Sequence, residues 1–273
     1  MSKPKRSPDG KVLFYEKSHT YKLGKKKLTS GTTFVKQFVN PFDAKDIARK
    51  ISKGFKFRNN RKRLQGLEVT DLEKKKQTMK HWINEWKQSA IDGTSVHYFM
   101  EQLIKRENKS DHKLGELKDA KDVVQNKYLQ GEEWFRHYSR SVGEPSMFPE
   151  VITYNEEAGI AGQIDLMCYR NEIVNGVETI NQVLDIIDFK TNKSIDKVSK
   201  YGNKCLTPLE EFSDCNFFHY TLQLSLYAFM EEIKGVPIGD LLLIHLQEDK
   251  YTVIKVPYQR DIIRTLLNYN EEK

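Results

Sequence analysis

Between Phe148 and Asn192 two apolar runs rich in Ile, Val and Leu, PEVITYNEEAGIAGQIDLMCYR and QVLDIIDFKTN, flank the polar stretch NEIVNGVETIN. Its Asn175-Gly176 pair is a strong two-residue hairpin signal, because both residues tolerate the positive φ that the favoured turn demands. A long hairpin at this point commits the chain to a sheet. Side chains alternate along a strand, so Asp188 and Lys190 point one way and Phe189 the other. Asp185 is three residues from Asp188 and faces the opposite side. Asp165, on the preceding strand, stands beside Asp188 if the register matches. Two carboxylates and an ammonium on one patch cost folding free energy unless something neutralises them. A divalent cation held between the carboxylates would do so. As a short pattern D-x-K is more often a solvated ion pair, so its meaning depends on the rest of the chain.

At 273 residues the chain has length for one large domain or two small ones, and 38% hydrophobic content fits a folded globular protein. No run of eighteen apolar residues occurs, and MSKPKRSPDG lacks an apolar signal region, so neither secretion nor membrane insertion is expected. Cys168, Cys205 and Cys215 lack paired spacing, which argues for a reducing compartment and against structural zinc or an iron–sulfur cluster. A net charge of +7 favours an anionic partner.

Taken in order, residues 1–10 read as a disordered basic tail. Lys11 to Tyr21 alternates as a strand, turned at Leu23-Gly24-Lys25 into Lys27 to Thr29. Thr32 to Val39 is a short helix or strand with Ser30, Thr32 or Thr33 as its cap. Asp43 to Gln88 is helical and polar. Within it Lys53, Lys56, Arg58, Arg61, Lys62 and Arg63 surround Phe55 and Phe57, the mixture that a single-strand-binding surface needs, although a solvated helix face explains it equally well. Trp82 and Trp86, a turn apart, read as packing residues. Gly93-Thr94 looks like a helix start with Thr94 as N-cap, and His97 and Glu101 then share a helical face. Lys118 to Tyr138 is a further helix. Ser194 to Asp214 is a long connection, either a flap or an irregular surface loop. Phe217 to Ile233 is a strong helix with Gln223 and Tyr227 on one face. Strands at Asp240 to Gln247 and Tyr251 to Pro257 and a helix from Arg260 to Tyr269 complete the chain.

Five stretches in one order carry a resemblance: GTSVHYFME at Gly93 to Glu101, Pro149-Glu150, GQID at Gly162 to Asp165, DFK at Asp188 to Lys190, and QLSLY at Gln223 to Tyr227. Together they resemble the RecB-type branch of the PD-(D/E)XK nuclease superfamily, over roughly Gly93 to Ile233. The N-terminal hairpin and basic helical region are also similar to phage-type exonucleases and the mitochondrial genome maintenance exonuclease. The cysteines do not match the relatives that hold an iron–sulfur cluster, and the connection between Lys190 and Gln223 is long for the family.

The resemblance implies a restriction-endonuclease-like α/β fold, a central mixed sheet flanked by helices. Residues 1–90 would form the hairpin and a basic, DNA-guiding region of the same unit, and residues 91–273 the nuclease core. Asp165 and Asp188 would ligate Mg²⁺ or Mn²⁺ with His97 and the backbone carbonyl of Phe189. Glu150 would bind a second ion or orient water, and Lys190 would be the catalytic lysine. Gln223 and Tyr227 would contact the nucleic-acid backbone and brace the site. The chemistry agrees, since hard carboxylate oxygens with one imidazole suit these ions, which make a nucleophile of water and stabilise phosphoryl charge. The expected activity is exonucleolytic hydrolysis of single-stranded DNA or DNA ends in recombination, repair or phage DNA processing. The expected partners are DNA and recombination or replication proteins, in a bacterial or phage-infected cytoplasm. A flap-cutting or structure-specific endonuclease, or an inactive nucleic-acid-binding module, are the alternatives.

Overall fold

In the computed structural model, which describes residues 3–107, 117–143 and 145–271, the chain begins in a strand rather than a tail. Lys5–Arg6 (β1) pairs antiparallel with Val12–Tyr15 (β2), Lys5 opposite Phe14. The basic composition suggests disorder, but a side-chain-closed turn overrides it. Ser7 Oγ donates to Asp9 Oδ1 at 2.6 Å, and the Val12 amide donates to Ser7 Oγ at 2.9 Å. Residues 1 and 2 of the expected tail lie outside the described residues. The expected strand over 11–21 breaks at a 3-10 turn, Glu16–Ser18, after which His19 takes φ +47°. Thr20–Leu23 (β3) and Lys26–Ser30 (β4) then complete a meander.

Ser30 caps helix α1 (Gly31–Val35) by accepting from the Thr33 amide at 3.1 Å. Helices α2 (Ala44–Leu64), α3 (Asp71–Lys76) and α4 (Met79–Glu107) follow. The helix start expected at Gly93-Thr94 is absent, because both residues lie inside α4. Thr94 Oγ1 donates back to the Ala90 carbonyl at 3.0 Å instead of capping. One glycine costs about 1 kcal/mol in a helix, too little to end one this long. Helix α5 (Asp122–Ser141) leads into strands β5 (Ser146–Asn155), β6 (Ile160–Val174) and β7 (Val177–Lys190). The β6–β7 hairpin turns at Asn175-Gly176 with φ of 52° and 78°, as its sequence demands. Helix α6 (Asn216–Glu232), strands β8 (Ile238–Leu246) and β9 (Tyr251–Val256), and helix α7 (Arg260–Glu271) complete the chain.

The chain divides into two compact units, Met1–Asn40 with Val96–Lys273, and Pro41–Ser95. This differs from a division at residue 90 that groups the N-terminal strands with the basic helices. The reason is pairing: β4 runs parallel to β6, Thr29 opposite Ile160 and Ser30 opposite Ala161, so the meander extends the main sheet.

The larger unit holds a mixed sheet in the order β1-β2-β3-β4-β6-β7-β8-β9, with β5 paired to β6. Helices α1, α6 and α7 cover one face, where Phe34, Leu222, Leu226, Met230 and Ile263 pack with Ile164, Ile186 and Leu243. On the other, Val96, Met100 and Leu103 of α4 and Trp134 of α5 pack with Leu166, Ile187, Phe189 and Ile244. Both faces are covered, so Ile186 and Ile187 are each buried, and burial of such side chains contributes roughly 1.5–3 kcal/mol apiece. In the smaller unit Asn59, 1% exposed, donates to the Glu73 carbonyl at 3.0 Å, and Lys62 pairs with Glu73 at 2.7 Å. Among the described residues no helix is long and apolar enough to cross a membrane.

Candidate active site

Strand register assembles the acids. Pro149 pairs with Leu166 and Val151 with Ile164, which sets Glu150 opposite Asp165. Leu166 pairs with Ile187, which sets Asp165 beside Asp188 on the next strand. Three carboxylates from β5, β6 and β7 therefore meet in one row. The Phe189 amide donates to Asp165 Oδ2 at 2.9 Å. Glu150 adopts φ +56°, a region that costs a residue with a side chain on the order of 1 kcal/mol or more. Its carbonyl accepts from Gln163 Nε2 at 3.1 Å.

Two helices complete the group. His97 Nδ1, from α4, lies 3.2 Å from Asp165 Oδ2. His97, Glu150 and Asp165 can each offer a ligand atom with all three atoms within 4.8 Å of one another. From α6, Gln223 Nε2 lies 3.5 Å from Asp188 Oδ1 and 3.4 Å from Tyr227 Oη, both long contacts. The Lys190 ammonium rests against Asp188 Oδ2 and sits 4.5 Å from the centre of the Tyr220 ring. Phe189 faces the other side of the sheet, among the core residues of α4 and α5. Asp185 also lies apart from the group, accepting from Arg170 Nε at 2.6 Å, Tyr138 Oη at 2.6 Å and the Asp240 amide at 2.7 Å.

Crowding of like charges out of water sets the electrostatics. Burial and the neighbouring Asp165 charge push Glu150 up to about 7, against the pull of Lys5. Burial likewise pushes Asp188 up to about 6, with Lys190 opposing and Asp165 reinforcing. For Asp165 burial works toward a raised value, yet the His97 imidazolium beside it holds the carboxyl below its ordinary range. Burial would lower His97, but Asp165 raises it to about 9.

The donor set fits a hard divalent cation. It combines carboxylate oxygens with one imidazole, and the buried Asp188 Oδ2 is neutralised within the chain only by the Lys190 ammonium against it. His97, Glu150 and Asp165 converge most tightly, while Asp188 is turned to Lys190 and Gln223. The Phe189 main chain reaches the group through its amide on Asp165.

Several expected roles change in place. Tyr227 is 3% exposed, so its ring lies within the brace behind the acids rather than at the surface. Its ring lies against two backbones: a Cβ on Gly162 would come within 2.3 Å of Tyr227 Cε1, and one on Gly31 within 2.9 Å. Phe55 is half-buried, its ring 5.8 Å from that of Trp82 and 4.2 Å from the Arg58 guanidinium, so it is no open stacking platform. Phe57, 71% exposed, is the free aromatic of α2. Lys53, Lys56, Arg58, Arg61 and Arg63 are exposed, whereas Lys62 is tied to Glu73.

Two residues escape sequence reasoning. Tyr220 lies one helical turn before Gln223 and shares its face, a signal that was available. Lys5 Nζ lies 3.6 Å from Glu150 Oε2, 3.7 Å from Glu101 Oε1 and 3.2 Å from Glu16 Oε1, and nothing in the basic N-terminus marks it.

No known family model matches the sequence, and no curated protein matches it. Among solved structures, one titled "Crystal structure of SSO0001" is similar at 17% identity over 66% of this chain and 73% of that chain, with a TM-score of 0.26. A partial likeness of that size carries no inference about activity.

Proposed function

We propose that this protein is a divalent-cation-dependent deoxyribonuclease with a PD-(D/E)XK core of the RecB type, acting on single-stranded DNA or DNA ends. One observation carries the reading: Asp165 and Asp188 lie side by side on adjacent strands, with His97 of α4 against Asp165 and Lys190 against Asp188. Buried clusters of opposed acids with shifted proton affinities are characteristic of sites that do chemistry.

Asp165 and His97, with Glu150 and Asp188, are the residues that would hold Mg²⁺ or Mn²⁺. When bound, such an ion supplies a lowered water pKa and Lewis acidity toward phosphoryl oxygens. The chain supplies the rest. Lys190 offers positive charge where a phosphate gains negative charge during displacement, and the Tyr220 face holds the ammonium in position. Lysine suits that task because its ammonium is a compact point charge on a flexible stem. Glu150 holds its proton up to about 7 in the metal-free site, a proton that a bound cation would displace to leave the carboxylate as ligand. Gln223 steadies Asp188, and Tyr227 steadies Gln223. The exposed cations of α2 add attraction for phosphates and Phe57 a face for base stacking. Recombination, repair or phage DNA processing are settings that need such an activity.

The test is digestion of a single-stranded oligonucleotide labelled in turn at its 5′ and 3′ ends, beside a circular strand, in Mg²⁺, Mn²⁺ or EDTA. Metal-dependent loss that requires an end establishes the exonuclease, and the order of label release gives its polarity. Cutting of the circle moves the same site to an endonuclease. Binding without cutting in either metal refutes the enzyme reading.

A further inference from the structure

The N-terminal strand carries a lysine onto the acidic flank of the metal group. Lys5 Nζ lies 3.6 Å from Glu150 Oε2 and 3.7 Å from Glu101 Oε1, so one ammonium spans both carboxylates, and Glu16 completes its shell at 3.2 Å. This is not a loose surface side chain. Its strand is pinned by the pairing of Lys5 with Phe14 and Arg6 with Leu13. The turn that follows is closed by Ser7 and Asp9, and Tyr154 Oη on β5 donates to Asp9 Oδ2 at 2.6 Å. β5 is also the strand that carries Glu150.

The cations of the site are thereby shared out. Lys190 serves Asp188, His97 serves Asp165, Lys105 pairs with Glu101 at 2.5 Å, and Lys5 joins Glu150 to Glu101. Two-ion phosphodiester hydrolysis needs a second set of carboxylates, roughly 3.5–4 Å of metal separation from the first. Glu150 and Glu101 are the carboxylates on that flank, and Lys5 already spans them. A compact, strongly hydrated ammonium can stand in for an inorganic cation there, and like-charge repulsion disfavours a divalent ion beside it.

We propose that Lys5 is the built-in second cation of this site, a positioning residue that holds Glu150 and Glu101 and limits the centre to one divalent ion. The inference rests on the reading of His97, Glu150 and Asp165 as a metal group. Its test is the stoichiometry of Mn²⁺ binding to the full chain, read from the loss of the free-ion signal in electron paramagnetic resonance, with no DNA present. The expected result is one Mn²⁺ per chain for the wild type and for Lys5→Arg, and two for Lys5→Met, which keeps the apolar stem and removes the charge. Adding Glu101→Gln to Lys5→Met should return the count to one. Circular dichroism and the melting temperature check that each variant is folded, and Lys5→Gln replaces Lys5→Met if that variant fails. One Mn²⁺ in every folded variant overturns the inference and leaves the metal site standing. Two in the wild type also overturns it, and none in the wild type overturns the metal reading together with the inference.

Discussion

Replacing Gly162 with alanine tests how tightly the brace behind the acids is built. An added Cβ would lie 2.3 Å from Tyr227 Cε1, 2.8 Å from Cζ and 2.9 Å from Oη. Ordinary carbon contacts fall at about 3.5–4.0 Å, so the ring must withdraw by more than roughly 1 Å. It cannot withdraw toward Gly31, where a Cβ would stand 2.9 Å from the same Cε1, and at 3% exposure it has no solvent side to yield into. Overpacking of a closed core costs about 1–3 kcal/mol, and this site belongs at the upper end. At about 2–4 °C per kcal/mol for a unit of this size, a fall of roughly 6–12 °C in melting temperature is expected. Scanning calorimetry measures it directly. The sign is diagnostic, because Gly→Ala in unobstructed extended backbone stabilises by about 0.4–1 kcal/mol. In a Tyr227→Leu background the same substitution should therefore cost little, giving a large coupling in the double-mutant cycle. Tyr227→Phe should not relieve it, since Cε1 remains. A Gly162→Ala protein as stable as the wild type would refute the packing argument.

Three other outcomes follow from the same geometry. Glu150 is raised from 4.5 to about 7 and Asp188 from 3.8 to about 6, so each contributes stability at low pH that is lost as pH rises through about 6–7. The raised His97 contributes fully only below about 6.5 and loses that contribution as pH climbs to about 9, adding to the fall, whereas the lowered Asp165 loses its own only in acid. The metal-free protein should therefore lose stability, on the order of 2 kcal/mol, between pH 5 and pH 8 in thermal melts, and Mn²⁺ should restore more at pH 8 than at pH 5; equal stabilisation at both would contradict this. Asp185→Asn leaves the largely buried Arg170 with only the more distant Asp240 carboxylate, 3.7 Å away, and should cost about 3–5 kcal/mol by urea denaturation, with a change under 1 kcal/mol counting against the network. Phe57→Ala should weaken single-strand binding in a fluorescence titration without moving the melting temperature, whereas Phe55→Ala should lower the stability of the Pro41–Ser95 unit through its contact with Trp82. The reverse pattern would exchange the two roles.

The period-2 pattern of β7 alone orients Asp188 and Lys190 away from Phe189, and Asn175-Gly176 alone marks the hairpin turn, so both are legible without coordinates. That Asp165 stands beside Asp188, and Glu150 beside Asp165, depends on two registers, and register is a tertiary property that a one-residue slip would reverse. The choice between Phe55 and Phe57 depends on Trp82, which belongs to another helix. Lys5 looks like any lysine of a basic tail until Ser7 and Asp9 fold the turn behind it. Thr94 has the residue type and position of an N-cap, but the helix before it is already formed and its hydroxyl turns back to Ala90.

The central claim is that the opposed Asp165 and Asp188, with Lys190, form a metal-dependent hydrolytic centre. The most direct measurement is the rate of single-stranded DNA digestion in Mg²⁺ by the wild type and by Asp188→Ala, each first shown to be folded by circular dichroism. Loss of Asp188 removes the carboxylate that faces Asp165 and contacts Lys190, so a fall of roughly 10³-fold or more is expected, with the wild-type rate abolished by EDTA. An Asp188→Ala protein that digests DNA as fast as the wild type in Mg²⁺ would contradict the account.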